Sequence, residues 1–305
     1  MLDTILKKTK NIFKTMWQDF KKFITANPQY LLCSIVYYVI ASFLMGGVFV
    51  SFFIALVAYV LSLVIAFTPL GEKILRFFEG VRRIETNRER EYLFPIFQEV
   101  YTRAREHSPE LGRIQPCIID KMTVNACALG KHTIAVTKGA IETFNEDELK
   151  AIMAHEIAHI LYGDTMARLY ITIGNGFFTA FVLVSKAFLF MAEWIEMVAS
   201  KSKSSFSFAW VIIVLVKAIF MLILLVTQFL MKLVLSVSSR RSEFRADEYA
   251  FELGYGESLV QAFYLIEKLQ LGGTATIAQR MTREHPRITS RIERIETLLE
   301  EESAV

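Results

Sequence analysis

Paired cysteines are missing from this chain. It has three, Cys33, Cys117 and Cys127. They form no CxxC pair and no even set, which excludes a disulfide framework; reduced thiols in a cytosol-facing protein are expected. A strong charge of either sign is missing too. The formal net charge is +3, so nothing points to a nucleic-acid partner. Internal repeats and low-complexity tracts are absent. The most informative absence is local: the 37 residues from Leu31 to Phe67 contain no charged side chain.

What is present is an excess of apolar residues, 53 % of 305, with mean hydropathy +0.38. The excess is gathered into blocks, which suits a bilayer better than one large core. A crossing helix takes about 20 residues. Leu31–Phe67 therefore fits two spans with a turn at Gly46-Gly47, ended by Thr68-Pro69-Leu70-Gly71. As a single helix it would reach roughly 55 Å, too far for one crossing. Leu169–Met191 and Phe208–Val237 are two further blocks, interrupted only by Lys186, Lys217, Gln228 and Lys232. Lysines near span ends can snorkel to the interface.

The expected organisation is a basic amphipathic segment over 1–28 and a transmembrane hairpin over 29–70. A soluble part with the catalytic motif follows over 71–165, then a second hairpin over 166–237 and a second soluble part over 238–305. Residues 1–28 alternate six lysines with aromatic and aliphatic residues at near-helical spacing, the pattern of a helix lying on an anionic leaflet. The apolar block after them is too long for the core of a cleaved signal. Lys and Arg crowd the tail, the 72–90 segment and the region after 238, while the Gly46-Gly47 turn has none. The soluble parts and both termini are therefore expected on the cytoplasmic side.

Within 71–165, Arg88–Glu106 reads as an amphipathic helix containing Pro95. CIIDKMTVNACALG and HTIAVTKGAIE read as two paired strands with turn material at Gly130-Lys131. Then comes FNEDELKAIMAHEIAHILYGD. Asn145 and Glu148 form a capping box, Phe144 and Leu149 a hydrophobic staple, and Gly163 suits the C-terminus. His155 and His159 share one face of this helix. Each can give an imidazole nitrogen to one Zn²⁺, with Glu156 as general base toward a water whose pKa zinc lowers to around 7. A third ligand is needed. SSRRSEFRADEYAFELG offers Glu243 and Asp247 four apart, Glu243 as a candidate ligand and Asp247 as a candidate acceptor of a histidine Nδ1–H. Glu248 and Glu252 have the same spacing, so spacing alone does not choose.

His155-Glu156-Ile157-Ala158-His159 with Glu243-Phe244-Arg245-Ala246-Asp247 resembles the HtpX-like membrane zinc metalloproteases, gluzincins related to the CAAX prenyl proteases. The resemblance selects Glu243 as ligand and Asp247 as its neighbour, and it accounts for a hairpin inserted between the two motifs. Asn125-Ala126-Cys127-Ala128-Leu129-Gly130 is similar to the family's NAxAxG stretch, which implies an edge strand where Asn125 and Ala126 bind substrate backbone. His285-Pro286 followed by Arg291-Ile292 resembles HPxxxxRI. This implies His285 as a donor to the oxyanion and Arg291 near the substrate.

The fold class implied is mainly α with a small β-sheet: four transmembrane helices plus a cytoplasmic gluzincin-type domain. The activity implied is zinc endopeptidase, one Zn²⁺ per chain, in a multi-pass protein of a prokaryotic plasma membrane. Damaged membrane proteins would be the substrates, the lipid bilayer a partner, and self-cleavage a side reaction. Three rivals are an intramembrane zinc protease, a prenyl-protein processor and a non-catalytic zinc scaffold. The water-side residues at both ends of the HEIAH helix, the absence of any lipidation cue and the presence of Glu156 weigh against them in turn.

Overall fold

The computed structural model describes residues 49–176, 240–270 and 288–303, with isolated positions between 10 and 39 and between 180 and 226. Two compact units emerge: Met1–Gly71 with Leu169–Leu233, and Glu72–Arg168 with Val234–Val305. In the first unit, α1 (Phe49–Phe67) packs against a π-helical stretch, Tyr170–Asn175. The hydroxyls of Tyr59 and Tyr170 lie 3.2 Å apart there. The expected turn at Gly46-Gly47 and most of the two later apolar blocks lie outside the described residues.

Among the described residues no single helix is long and apolar enough to cross a membrane. Leu56–Phe67 with the next helix, α2 (Pro69–Glu79), passes that test only as a pair, by length and composition.

The second unit is mainly helical with one small mixed sheet. After α2 come β1 (Val81–Arg83), α3 (Asn87–His107), β2 (Gln115–Ile119), β3 (Ala126–Leu129) and β4 (Thr133–Thr137). α4 (Lys138–Thr143), α5 (Glu146–Tyr162) and α6 (Asp164–Leu169) follow. Further along the chain come α7 (240–252), α8 (Gly256–Gln270) and α9 (Ile288–Ser303). The sheet order is β1-β2-β4-β3, with β2 and β4 parallel and the outer pairs antiparallel. β4 is central and every one of its residues is buried, as its unbroken TIAVT run requires.

Two sequence expectations need correcting here. CIIDKMTVNACALG is two strands rather than one, because the chain turns between Asp120 and Asn125, and Lys121 C=O accepts from Gly139 N–H at 3.0 Å. HTIAVTKGAIE ceases to be a strand at Lys138, where the Thr137 hydroxyl caps a short helix by accepting from Ala140 N–H. The β3–β4 hairpin does turn at Gly130, whose φ of +60° suits only glycine well.

α3 continues past Pro95 without a break and opens on a full capping box, Thr86 with Glu89. One core joins it to α5, α7, α8, α9 and the inner face of the sheet, through Leu93, Val100, Met153, Ile157, Tyr249 and Ile295 among others. Each such side chain contributes about 1.5–3 kcal/mol by leaving water.

Candidate metal centre

α5 is specified at both ends. Asn145 Oδ1 accepts from Glu148 N–H, and Glu148 Oε2 accepts from Asn145 N–H, both at 2.9 Å. Glu146, Asp147 and Glu148 in the first turn oppose the positive end of the helix dipole. Gly163 closes the helix at φ +78°. Phe144 and Leu149 are both buried. The helix is thereby fixed in phase, and His155 and His159 look into the same space as Glu243 from α7.

The two imidazoles and the Glu243 carboxylate, which offers an oxygen to each ring, form a small triangle of ligand groups. His155 Nε2 is 3.1 Å from His159 Nε2 and 3.5 Å from Glu243 Oε2; His159 Nε2 is 3.5 Å from Glu243 Oε1. Ligands at 2.0–2.1 Å in a tetrahedron are separated by about 3.4 Å, so the triangle has the dimensions of three zinc ligands. Its chemistry agrees. Asp247 Oδ1 lies 2.9 Å from His155 Nδ1, and Asp164 Oδ2 lies 3.0 Å from His159 Nδ1. Each carboxylate is placed to accept an Nδ1–H from its histidine, which would turn both Nε2 lone pairs toward the Glu243 carboxylate and a cation held among them.

Charge tells the same story. Burial and the Arg291 guanidinium both push the His155 imidazole down, yet its hydrogen bonds to the accepting carboxylates of Asp247 and Glu243 carry it up to about 9. The cluster holds a surplus of negative charge that attracts positive charge, whether a proton or a metal ion.

Asp164 was not anticipated. Its one signal is its place, directly after the capping glycine and five residues past His159. It also accepts from Arg245 Nη2 at 2.8 Å, and Arg245 in turn lies over the Tyr162 ring.

Arg291, expected near substrate, is 5 % exposed. Its Nε donates to Asp247 Oδ2 at 2.7 Å, its Nη1 to Glu243 Oε2 at 3.0 Å, and it stacks over Phe263. Burial alone would raise the Asp247 carboxyl, but Arg291 and then His155 hold it below the usual carboxylate range.

Glu156 Oε2 accepts from the Ala128 N–H on β3 at 2.7 Å. β3 is the sheet's edge, and Ala128 directs its N–H away from β4 and toward the helix. Ala126 lies two residues along on the same strand. Asn125 is exposed, its backbone tied to Thr137: its N–H donates to the Thr137 hydroxyl and its C=O accepts from Thr137 N–H, both at 3.0 Å. Cys127, next to Ala126, has its thiol pushed up to about 12 by burial and then by Glu156, which disfavours the nucleophilic thiolate. His285 lies outside the described residues.

The β3–β4 turn has its own clamp. Buried Glu72 of α2 accepts from Thr133 Oγ1 at 2.7 Å and from Lys131 N–H at 3.2 Å.

Comparison with known proteins adds the following. The sequence pattern of peptidase family M48 matches residues 88–299. The protease HtpX of Pseudomonas putida is 26 % identical over 179 residues, 57 % of this chain and 55 % of that one. A protease HtpX homolog of Bacteroides fragilis is 26 % identical over 215 residues, 69 % and 59 % of the two chains. The match thus spans little more than half the length of these relatives. The crystal structure of S. mikatae Ste24p aligns with a TM-score of 0.51 at 19 % identity, covering 93 % of this chain and 66 % of that one, a likeness of fold.

Proposed function

This chain is an HtpX-like member of peptidase family M48, and from that premise we propose that it is an integral-membrane zinc endopeptidase. His155, His159 and Glu243 would hold one Zn²⁺. When bound, the ion would acidify a water and polarise the scissile carbonyl. Glu156 takes the water's proton as general base and returns it to the departing amine. The Ala128 N–H keeps the Glu156 carboxylate beside the edge strand, where an extended peptide can add alongside Asn125 and Ala126. Asp247 and Asp164 fix the tautomers of the two histidines. His285 is assigned to the oxyanion. Arg291 anchors Asp247 and Glu243 and stands at the substrate side only through them.

The proposal keeps four spans, two within 31–67 and one in each later block, with the soluble parts and both termini cytoplasmic in a prokaryotic plasma membrane. Its domains remain 1–28, 29–70, 71–165, 166–237 and 238–305. Misassembled membrane proteins are the proposed substrates, in quality control, with self-cleavage as a side reaction. The acidic, exposed first turn of α5 favours water-side cleavage over cleavage within the bilayer.

One observation carries the reading: two imidazoles and a carboxylate gathered at zinc-ligand spacing, each imidazole with a further carboxylate within 3.0 Å of its Nδ1. The test is metal content and casein cleavage of pure wild type against Glu156→Gln. Both should bind one zinc per chain, and the variant should lose cleavage by about 10²–10⁴-fold. Undiminished cleavage by the variant, or wild type without metal, ends the proposal.

A further inference from the structure

α2 is amphipathic the wrong way round for a helix in water. A surface helix turns its apolar stripe to the core and its charges outward. Here Phe77 is 81 % exposed, Phe78 70 % and Leu70 51 %, and Ile74 lies on the same side. The opposite side carries Glu72, Leu75 and Glu79 inward. Glu72 is buried on the β3–β4 turn and paired with Arg76, and Glu79 accepts from Arg168 at 2.8 Å. The orientation is therefore pinned by specific polar contacts. Rolling the helix to hide its phenylalanines would strip buried Glu72 of its partners, a loss that a stable fold avoids.

Two further observations identify what meets the outward face. In the chain, α2 follows α1 directly after Thr68, and α1 carries no charged residue, with Ile54, Val57, Val60 and Leu61 exposed. Lys73 is exposed at the margin of the α2 apolar face, where an ammonium can reach lipid phosphate while its stem lies on hydrocarbon.

We propose that α2 is an interfacial helix, with Leu70, Ile74, Phe77 and Phe78 seated in the headgroup–acyl boundary of a phospholipid bilayer and Glu72 on its far side gripping the hairpin that ends in the edge strand. Such helices sink about 5–10 Å into the interface. This rests on the membrane reading above and adds a membrane contact made by the soluble part itself. It gives the edge strand a fixed height over the lipid, because Glu72 joins the lipid-seated helix to the β3–β4 turn.

The experiment uses the full chain in vesicles of phosphatidylethanolamine and phosphatidylglycerol. Phe77, Phe78, Val57 and Phe94 are replaced one at a time by the photo-crosslinker p-benzoylphenylalanine, and adducts are identified by mass. Phe94 on α3, 45 % exposed, is the water-side control. Phe77 and Phe78 should give phospholipid adducts as readily as Val57, many-fold more than Phe94. Lipid adducts at Val57 with none at 77 or 78 overturn the interfacial helix and leave the membrane reading standing. Peptide adducts at 77 and 78 overturn it as well, by showing that protein covers the face. No lipid adduct at Val57 either would remove the membrane reading and this proposal together, while the metal and cleavage assays on Glu156→Gln would still stand apart.

Discussion

Asp247 touches an imidazole on one side and a guanidinium on the other, and its charge serves both. Asp247→Asn keeps the shape and removes the charge. Metal affinity, read by competition with a chromophoric chelator, should fall about 10–100-fold, and Asp164→Asn should act in the same direction through His159. Arg291 is the counter-ion of two buried carboxylates. Arg291→Met should destabilise the metal-free protein by about 3–5 kcal/mol, and Arg291→Lys should recover part of that but lose the paired Nε and Nη2 contact to Asp247. Denaturant melts with chelator present measure both. HEIAH was legible because both histidines and the glutamate lie within one helical turn and a fraction. Asp164 was not, since an aspartate after a capping glycine is ordinary until the ring of His159 is seen turning toward it.

At the scale of elements, glycine separates two kinds of turn. Gly130 and Gly163 both have positive φ. A side chain at Gly163 would meet nothing, whereas a Cβ at Gly130 would run into the Glu72 carboxylate that holds the hairpin. Gly163→Ala should therefore lower stability by about 1 kcal/mol, and Gly130→Ala by clearly more, in thermal melts of the two variants.

The start of α3 is sensitive to acid. Arg82 bridges Glu89 and Asp120, and its hydrogen bond holds the Glu89 carboxyl down at about 2. A depressed carboxyl stabilises the fold above its unfolded value, about 4.3, and that stabilisation fades as pH falls toward 2. Glu89→Gln should melt lower than wild type at pH 7, with the gap closing between pH 4.5 and 2. The helices were legible here because capping boxes are local signals, as at Thr86 and Asn145. The strands were less so. β1 is three residues, Val81–Arg83, and owes its existence to pairing with Ile119, Ile118 and Cys117 far along the chain.

For the whole molecule, metal and fold should be linked. If Zn²⁺ joins α5 to α7, a chelator should lower the melting temperature and added zinc restore it, by up to about 4 kcal/mol at a thousandfold excess over Kd. A melt unchanged by chelator would mean the triangle forms no metal site. The third ligand could be singled out from sequence only by resemblance, because Glu248 and Glu252 share the spacing of Glu243. The structure separates them by direction: Glu243 is buried beside the histidines, while Glu248 pairs with Arg294 at a more exposed site. No local pattern reveals direction across so long an intervening stretch.

Arg291 follows His155 by 136 residues. During synthesis both histidines, Glu243 and Asp247 leave the ribosome before Arg291, the cation paired with those two carboxylates. The order of translation therefore defers completion of the centre until the helix that carries Arg291 has been made.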